Sequence, residues 1–350
     1  MIKNPHRGTG LTTLGADIPP PSIAADAVSA LLAHCPAHAQ TPLLCATSLA
    51  DTLNVASVHI KDERSRMGLG SFKALGAAYV IACDAQASGA ADMTTALAGQ
   101  TYVTASAGNH GMSVAAGARV FGAQAVIYLS KTVPESFAQR LRDKGAQVVI
   151  EGDNYEASMA AAMHAAEANR WPLLSDSSWP HYTARPHRLM EGYLQMATEA
   201  FEQMAEPPSH IVLQAGVGGM AGAVAALARD RYGDSPTIII VEPDAAPALH
   251  DSIMQGRATV TEGPVSEMGR LDCKEPSLIA LKGLSTDADF FALITEEEGH
   301  ASMALLAAHG LATTPSGGAG LSFLLAASTE VPNLDAASRV LAFLSEGPDA

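Results

Sequence analysis

The strongest constraint on this chain is a repeated order of short apolar run, turn and apolar-faced helix. Runs read as strands lie at Val55–Ile60, Thr101–Ala105, Ala125–Leu129, Gln147–Ile150, Ile211–Gln214 and Thr237–Val241. Between them, helical periodicity covers Phe72–Ala87, Met112–Phe121, Pro134–Lys144, Tyr155–Asn169 and a segment ending at Arg231. Strand and helix alternating with short loops is the signature of βαβ units. The expected fold is α/β, with open, twisted, mostly parallel sheets flanked by helices. Ahead of this pattern, Pro19-Pro20-Pro21 precedes a helix predicted from Ser22 to His34. No linker marks a boundary, so a second domain is expected as an insertion that the chain crosses twice.

At 350 residues the chain can build one large α/β domain or two modest ones. Aromatic residues are only 5% of it, so the core must come from Ala, Val, Leu, Ile and Met. Its 21 basic and 36 acidic residues give a net charge of −15, which disfavours nucleic acid and anionic lipid as partners. Local anion pockets made of backbone N–H groups remain open to it. The four cysteines, Cys35, Cys45, Cys83 and Cys273, show neither CxxC nor metal-type spacing. A disulfide framework is not expected, and a cytoplasmic location is. Met1 to Gly15 lacks the apolar segment of a signal peptide, and apolar stretches are interrupted before the ~18 residues that a membrane span needs.

Three joints carry candidate chemistry. Gln214-Ala215-Gly216-Val217-Gly218-Gly219-Met220-Ala221-Gly222 follows a strand and opens a helix, the setting of a phosphate cup. A dinucleotide site would add an acidic residue ~20 positions on, and Glu242 stands at the end of the next strand. In Gly68-Leu69-Gly70-Ser71-Phe72-Lys73, a lysine sits at a helix start in an apolar setting. Buried, its amine has a lowered pKa and suits a Schiff base; exposed, it is a lysine snorkelling off an amphipathic helix. Thr104-Ala105-Ser106-Ala107-Gly108-Asn109-His110-Gly111 offers a second set of backbone donors with a hydroxyl and an amide. Two anion cups and an amine suit a phosphorylated aldehyde cofactor and a substrate carboxylate better than they suit a nicotinamide enzyme.

Together these segments resemble the fold-type II (tryptophan synthase β-like) pyridoxal phosphate enzymes. Within that superfamily, the stretch Met67 to Lys73, the run Gln214 to Gly222 and Leu271-Asp272-Cys273-Lys274-Glu275-Pro276-Ser277 are most similar to the diaminopropionate ammonia-lyases. The similarity runs from Thr41-Pro42-Leu43 to Ser345-Glu346-Gly347. It implies a large cofactor-binding domain of residues 1–84 and 191–350, with a small α/β domain of residues 85–190 inserted, and a homodimer. It implies pyridoxal 5'-phosphate on Lys73 as a Schiff base, with Phe72 beside the ring. Gly216, Val217, Gly218, Gly219 and Met220 would hold the phosphate, Asn109 the ring hydroxyl, and Ser345 would face the pyridine nitrogen. The segment Ser106, Ala107, Gly108, Asn109 and His110 would grip the carboxylate of a small amino acid.

The implied activity is α,β-elimination of L-2,3-diaminopropionate to pyruvate and ammonia, with dehydration of L-serine, L-threonine or another β-hydroxy amino acid as the alternative. A silent cofactor-binding protein is a third reading. In the ammonia-lyases an acidic residue before the Gly-Asn-His-Gly turn acts on the D-isomer, and here that place is Ala107. A second acidic position lies in an Asp-x-x-Trp segment, which Asp176 to Trp179 matches. Asp176 is therefore the expected base or β-ammonium partner for an L-substrate, although a loop or helix-cap aspartate is the simpler reading of that residue alone. Thr314-Pro315-Ser316-Gly317-Gly318-Ala319-Gly320 lacks the acidic residue that both relatives usually carry there. No metal site is expected: Glu296-Glu297-Glu298 reads as a helix N-terminus. Cys83 and Cys273 read as buried thiols.

Overall fold

Isoleucine- and valine-rich runs too short for helices pair into two sheets in the computed structural model, which describes residues 1–348. The last two positions of the predicted 191–350 segment lie outside the described residues. The strands are β1 (Ile2–Lys3), β2 (Leu43–Cys45), β3 (Ser57–Asp62), β4 (Thr101–Ala105), β5 (Gln124–Leu129), β6 (Gln147–Ile150), β7 (His210–Gln214), β8 (Thr237–Pro243), β9 (Phe290–Ile294) and β10 (Arg339–Leu344). Seven form one sheet in the order β1-β9-β8-β7-β10-β3-β2. Its five inner strands are parallel, and β1 and β2 are antiparallel edges. The other sheet, β4-β5-β6, is all parallel.

Helices α1 (Ala25–Leu32), α2 (Thr47–Leu53), α3 (Lys73–Ala87), α4 (Asn109–Val120), α5 (Glu135–Asp143), α6 (Tyr155–Asn169) and α7 (Ala184–Gln203) fill the first part of the chain. The remainder holds α8 (Gly219–Tyr232), α9 (Ala248–Gln255), α10 (Leu278–Asp287), α11 (Glu296–Ala301), α12 (Met303–Ala308) and α13 (Pro315–Ala327). The mixed α/β class with parallel sheets stands as expected. Elements β4, β6 and α6 have the expected bounds. The first helix is shorter than predicted, Ala25–Leu32 in place of Ser22–His34. The strand expected at Val55 starts at Ser57, because Asn54 in the left-handed conformation ends α2 and the Val55 N–H bonds back to the Ala50 carbonyl. The three glutamates do open a helix, α11, behind a Thr295–Glu298 capping box.

The core is built from aliphatic residues and alanine, and its helices come close where glycines face each other. At the crossing of α3 and α7, a Cβ on Gly192 would stand 2.6 Å from the Leu75 carbonyl oxygen. One on Gly76 would stand 2.8 Å from the Tyr193 ring. Beside this crossing lies a buried ionic network. Arg66 donates to Glu63 and Glu199, each at 2.7 Å, and Lys61 to Glu199 at 2.7 Å. Burial pushes the Glu199 carboxyl up, but Arg66 and Lys61 outweigh it and hold the group down to about 2. The network ties the segment after β3 to α7, immediately before the lysine motif. Among the described residues, no helix is long and apolar enough to cross a membrane.

Candidate active site

Lys73 is the first residue of α3. Its backbone is set by the preceding Phe72, whose N–H donates to the Ser345 carbonyl at 3.0 Å, just past the end of β10. The Ser345 N–H in turn donates to the Gly317 carbonyl at 3.2 Å. The lysine amine donates to Asp176, and both side chains keep 22% of their surface exposed. Burial opposes charge on the amine, but the Asp176 carboxylate outweighs it and holds Lys73 above its usual range. Burial also opposes ionisation of Asp176, and the Lys73 charge outweighs it there, keeping the carboxyl well below the usual range. The lowered lysine pKa expected from burial is thus reversed by its partner. The snorkelling reading does not fit either, because the amine turns inward to a carboxylate.

Asp176 is held in place by its neighbours. The Ser175 N–H donates to the Tyr182 hydroxyl at 3.0 Å, and Tyr182 stacks on Trp179 with centroids 4.2 Å apart. The Asp176 carbonyl lies 3.9 Å from where a Cβ would stand on Gly219. That places the lysine–aspartate pair beside the first turn of α8.

Two helix N-termini, neither with a side-chain cap, serve the site. Gly218 enters α8 at φ +95°, a conformation that L side chains resist. A Cβ on Gly216 would stand 3.0 Å from the Cys273 sulfur and 3.2 Å from the Arg270 carbonyl oxygen, so the cup keeps its shape only with glycine. The turn before α4 begins its helix at Asn109, three residues earlier than predicted, because extended Gly108 is itself the N-cap. His110 Nε2 donates to the Leu174 carbonyl at 2.9 Å, leaving its Nδ1 buried without a partner among the described residues. Burial lowers its pKa, so the ring is neutral. Ser106 Oγ accepts from the Gly108 N–H at 3.3 Å, and Ala107 packs against the core.

Sequence reasoning missed three features. The N-cap and first turns of α13, residues 314–320, lack an acidic residue of their own, yet Glu346 reaches them from beyond β10. Its carboxylate accepts from Thr314 Oγ1 and, at 2.5 Å, from Asn109 Nδ2. Arg270 is the second: its Nε lies 3.5 Å from the Cβ position of Gly108 and 3.8 Å from Glu346, bringing a cation to the second cup. The third is Tyr193, buried with its hydroxyl unpartnered among the described residues. Cys273, read as a buried thiol, is half-buried beside Gly216, and burial with the Asp176 charge pushes it up to about 12. It stays protonated. Glu242 does not serve a dinucleotide: it is fully buried and accepts from the Leu249 and His250 N–H groups at 2.8 and 2.7 Å.

The donor set fits a phosphorylated aldehyde. An amine stands next to a glycine cradle that a Cβ would close, and Arg270 links that cradle to a second cup at Gly108. Residues 35–346 match the family described as pyridoxal-phosphate dependent enzyme. Diaminopropionate ammonia-lyase from Salmonella typhimurium is 35% identical over 266 residues, covering 70% of this chain and 66% of that protein. The chain thus spans just under two thirds of that curated relative in the alignment. The Escherichia coli enzyme in complex with D-serine superimposes with a TM-score of 0.86 at 28% identity, covering 99% of this chain and 93% of that one. Its complex with an aminoacrylate-PLP azomethine reaction intermediate gives 0.84 at 29%, with the same coverage.

Proposed function

The chain belongs to the pyridoxal-phosphate-dependent enzymes, with the fold-type II architecture, and from that premise we propose that it converts L-2,3-diaminopropionate and water to pyruvate and two molecules of ammonia. The observation that carries this reading is the contact of the Lys73 amine with the Asp176 carboxylate between two uncapped helix N-termini. Pyridoxal phosphate bound at Lys73 supplies an electron sink that acidifies the substrate Cα–H. Gly216, Val217, Gly218, Gly219 and Met220 would hold its phosphate through backbone N–H groups, Asn109 its ring hydroxyl and Ser345 its pyridine nitrogen, with Phe72 beside Lys73.

The protein's own groups do the rest. The substrate carboxylate sits on Ser106 to His110, where Arg270 adds charge. Lys73 and Asp176 exchange protons with the Cα side of the substrate. Asp176 serves as base or pairs with the β-ammonium group, and neutral Ala107 leaves the other face without an acid or base, favouring the L-isomer. The same Ser106-Ala107 pair, with no carboxylate of its own, also supports the alternative of a β-hydroxy amino acid dehydratase.

Residues 85–190, which contain the three-stranded sheet, form the smaller of the two proposed domains, and its closure over the site would exclude water. A homodimer is proposed from the family resemblance. A cytoplasmic location is supported by four free cysteines.

The test is end-point stoichiometry with the cofactor-loaded protein on L-diaminopropionate, D-diaminopropionate and L-serine. Twice as much ammonia as pyruvate from the L-diamine, with little from the D-diamine, supports the proposal. Equal ammonia and pyruvate from serine with the diamine inert moves the chain to the dehydratases. An intact visible chromophore with no turnover of amino acids points to a silent binding protein.

A further inference from the structure

Tyr193 is a buried residue of α7 with 1% of its surface exposed, and its hydroxyl has no hydrogen-bond partner among the described residues. Leaving a buried hydroxyl unpaired is costly, and a phenylalanine would fill the same space without that cost. The hydroxyl therefore asks for an acceptor. Its ring is wedged between the two elements that define the site. One edge lies 2.8 Å from the Cβ position of Gly76 on α3, the lysine's helix, and the other 3.6 Å from that of Gly219, the first residue of α8. Phe72 packs edge-on against it at 4.9 Å between centroids. The nearest charged side chains that act on the phenol are Lys73 and Asp176, which are paired with each other. Burial keeps the phenol protonated, so it is a donor and calls for an anion.

We infer that the Tyr193 hydroxyl is a side-chain ligand to the cofactor phosphate, completing from below a cup otherwise made of the backbone N–H groups of Gly216 to Met220. This rests on the reading of that loop as the phosphate site and not on the choice of substrate. A neutral donor beside the α8 N-terminus adds one hydrogen bond to an anion already favoured by the helix. It also explains why this position carries a phenol where packing alone asks only for a ring.

The experiment compares wild type with Tyr193→Phe in binding titrations of the full-length apoprotein, using pyridoxal phosphate and unphosphorylated pyridoxal, with the phosphorus NMR signal of each holoprotein alongside. The variant should bind pyridoxal phosphate about tenfold more weakly, bind pyridoxal as wild type does, and show a shifted phosphorus resonance. Because the readout is the ratio of the two affinities, a general loss of stability does not imitate it. An unchanged ratio with an unmoved resonance overturns the inference. A wild-type protein that does not prefer the phosphorylated form overturns the phosphate-cup reading itself, and the inference falls with it.

Discussion

Lys73 and Asp176 stand 103 residues apart in the chain and form an ion pair in the site. Each holds the other in its charged form against burial. In the ligand-free protein the amine is therefore an ammonium, and it must give up a proton before it can attack an aldehyde.

Replacing Asp176 with Asn removes the group that keeps Lys73 protonated, and burial then dominates and lowers the amine pKa. The pH midpoint for acquiring the visible cofactor chromophore should fall in Asp176→Asn relative to wild type, while turnover of an L-substrate drops at least a hundredfold. Spectral titration of the two apoproteins between about pH 6 and 10 checks this. A midpoint that stays put or rises would sink the argument.

Gly218→Ala should damage the proposed phosphate cup without touching a charge. The residue sits at φ +95°, and an added Cβ would lie 3.0 Å from both Ala280 Cβ and Leu249 Cδ1. Left-handed backbone at a non-glycine costs about 1–2 kcal/mol before any contact is counted. Weaker cofactor binding and a lower melting temperature of the apoprotein are expected. Calorimetry showing an unchanged melting point would mean that the turn relaxes freely.

Glu199 is the shared acceptor of Arg66 and Lys61, with 2% of its side chain exposed. Glu199→Ala leaves two buried cations short of a partner, a loss of roughly 3–5 kcal/mol for a broken buried pair. Urea unfolding measures it, and a loss below about 1 kcal/mol would show that water or Glu63 takes over.

The folded protein should lose stability as pH rises from about 5 to 8, in part through Glu242. Burial pushes this carboxyl up to about 8 from 4.5, with the Leu249 and His250 N–H groups only partly opposing it. A raised folded-state pKa means that the native state binds the proton more tightly. The contribution is complete below the unfolded value and disappears through the folded one. Glu242→Gln keeps an acceptor but cannot ionise, so its stability should vary less over that window. Parallel thermal melts at several pH values that show identical slopes would refute this.

Six of the strands, β3 to β8, and the glycine-rich joints were legible because local pattern and tertiary role agree there, whereas β1, β2, β9 and β10 were not read. Thr101–Ala105 and Tyr155–Asn169 read directly from period and composition. Helix α7 was not among the helices read from the sequence; it carries Pro186 in its first turn, where a proline removes an N–H that has no partner anyway. Lys73, Asp176 and the two turns could be named because each carries its own local signature. Arg270, Tyr193 and Glu346 could not. Arg270 lies on a segment without regular structure, and Tyr193 looks like one more core residue of a helix. The carboxylate missing from the start of α13 arrives from Glu346, 32 residues beyond Thr314, through a parallel strand pairing that no local pattern encodes.

The crossing of α3 over α7 at Gly76 and Gly192 leaves no room for a single added carbon, and Lys73 rides on one of those two helices. The anchor is therefore fixed to the scaffold, while Ser106 to Gly108 and Arg270, the groups proposed to meet the substrate carboxylate, sit on turns and irregular segments. Such a molecule divides its evolutionary freedom unevenly. New leaving groups can be accommodated by changing the rim one side chain at a time, but the lysine and its helix can be inherited only as a unit.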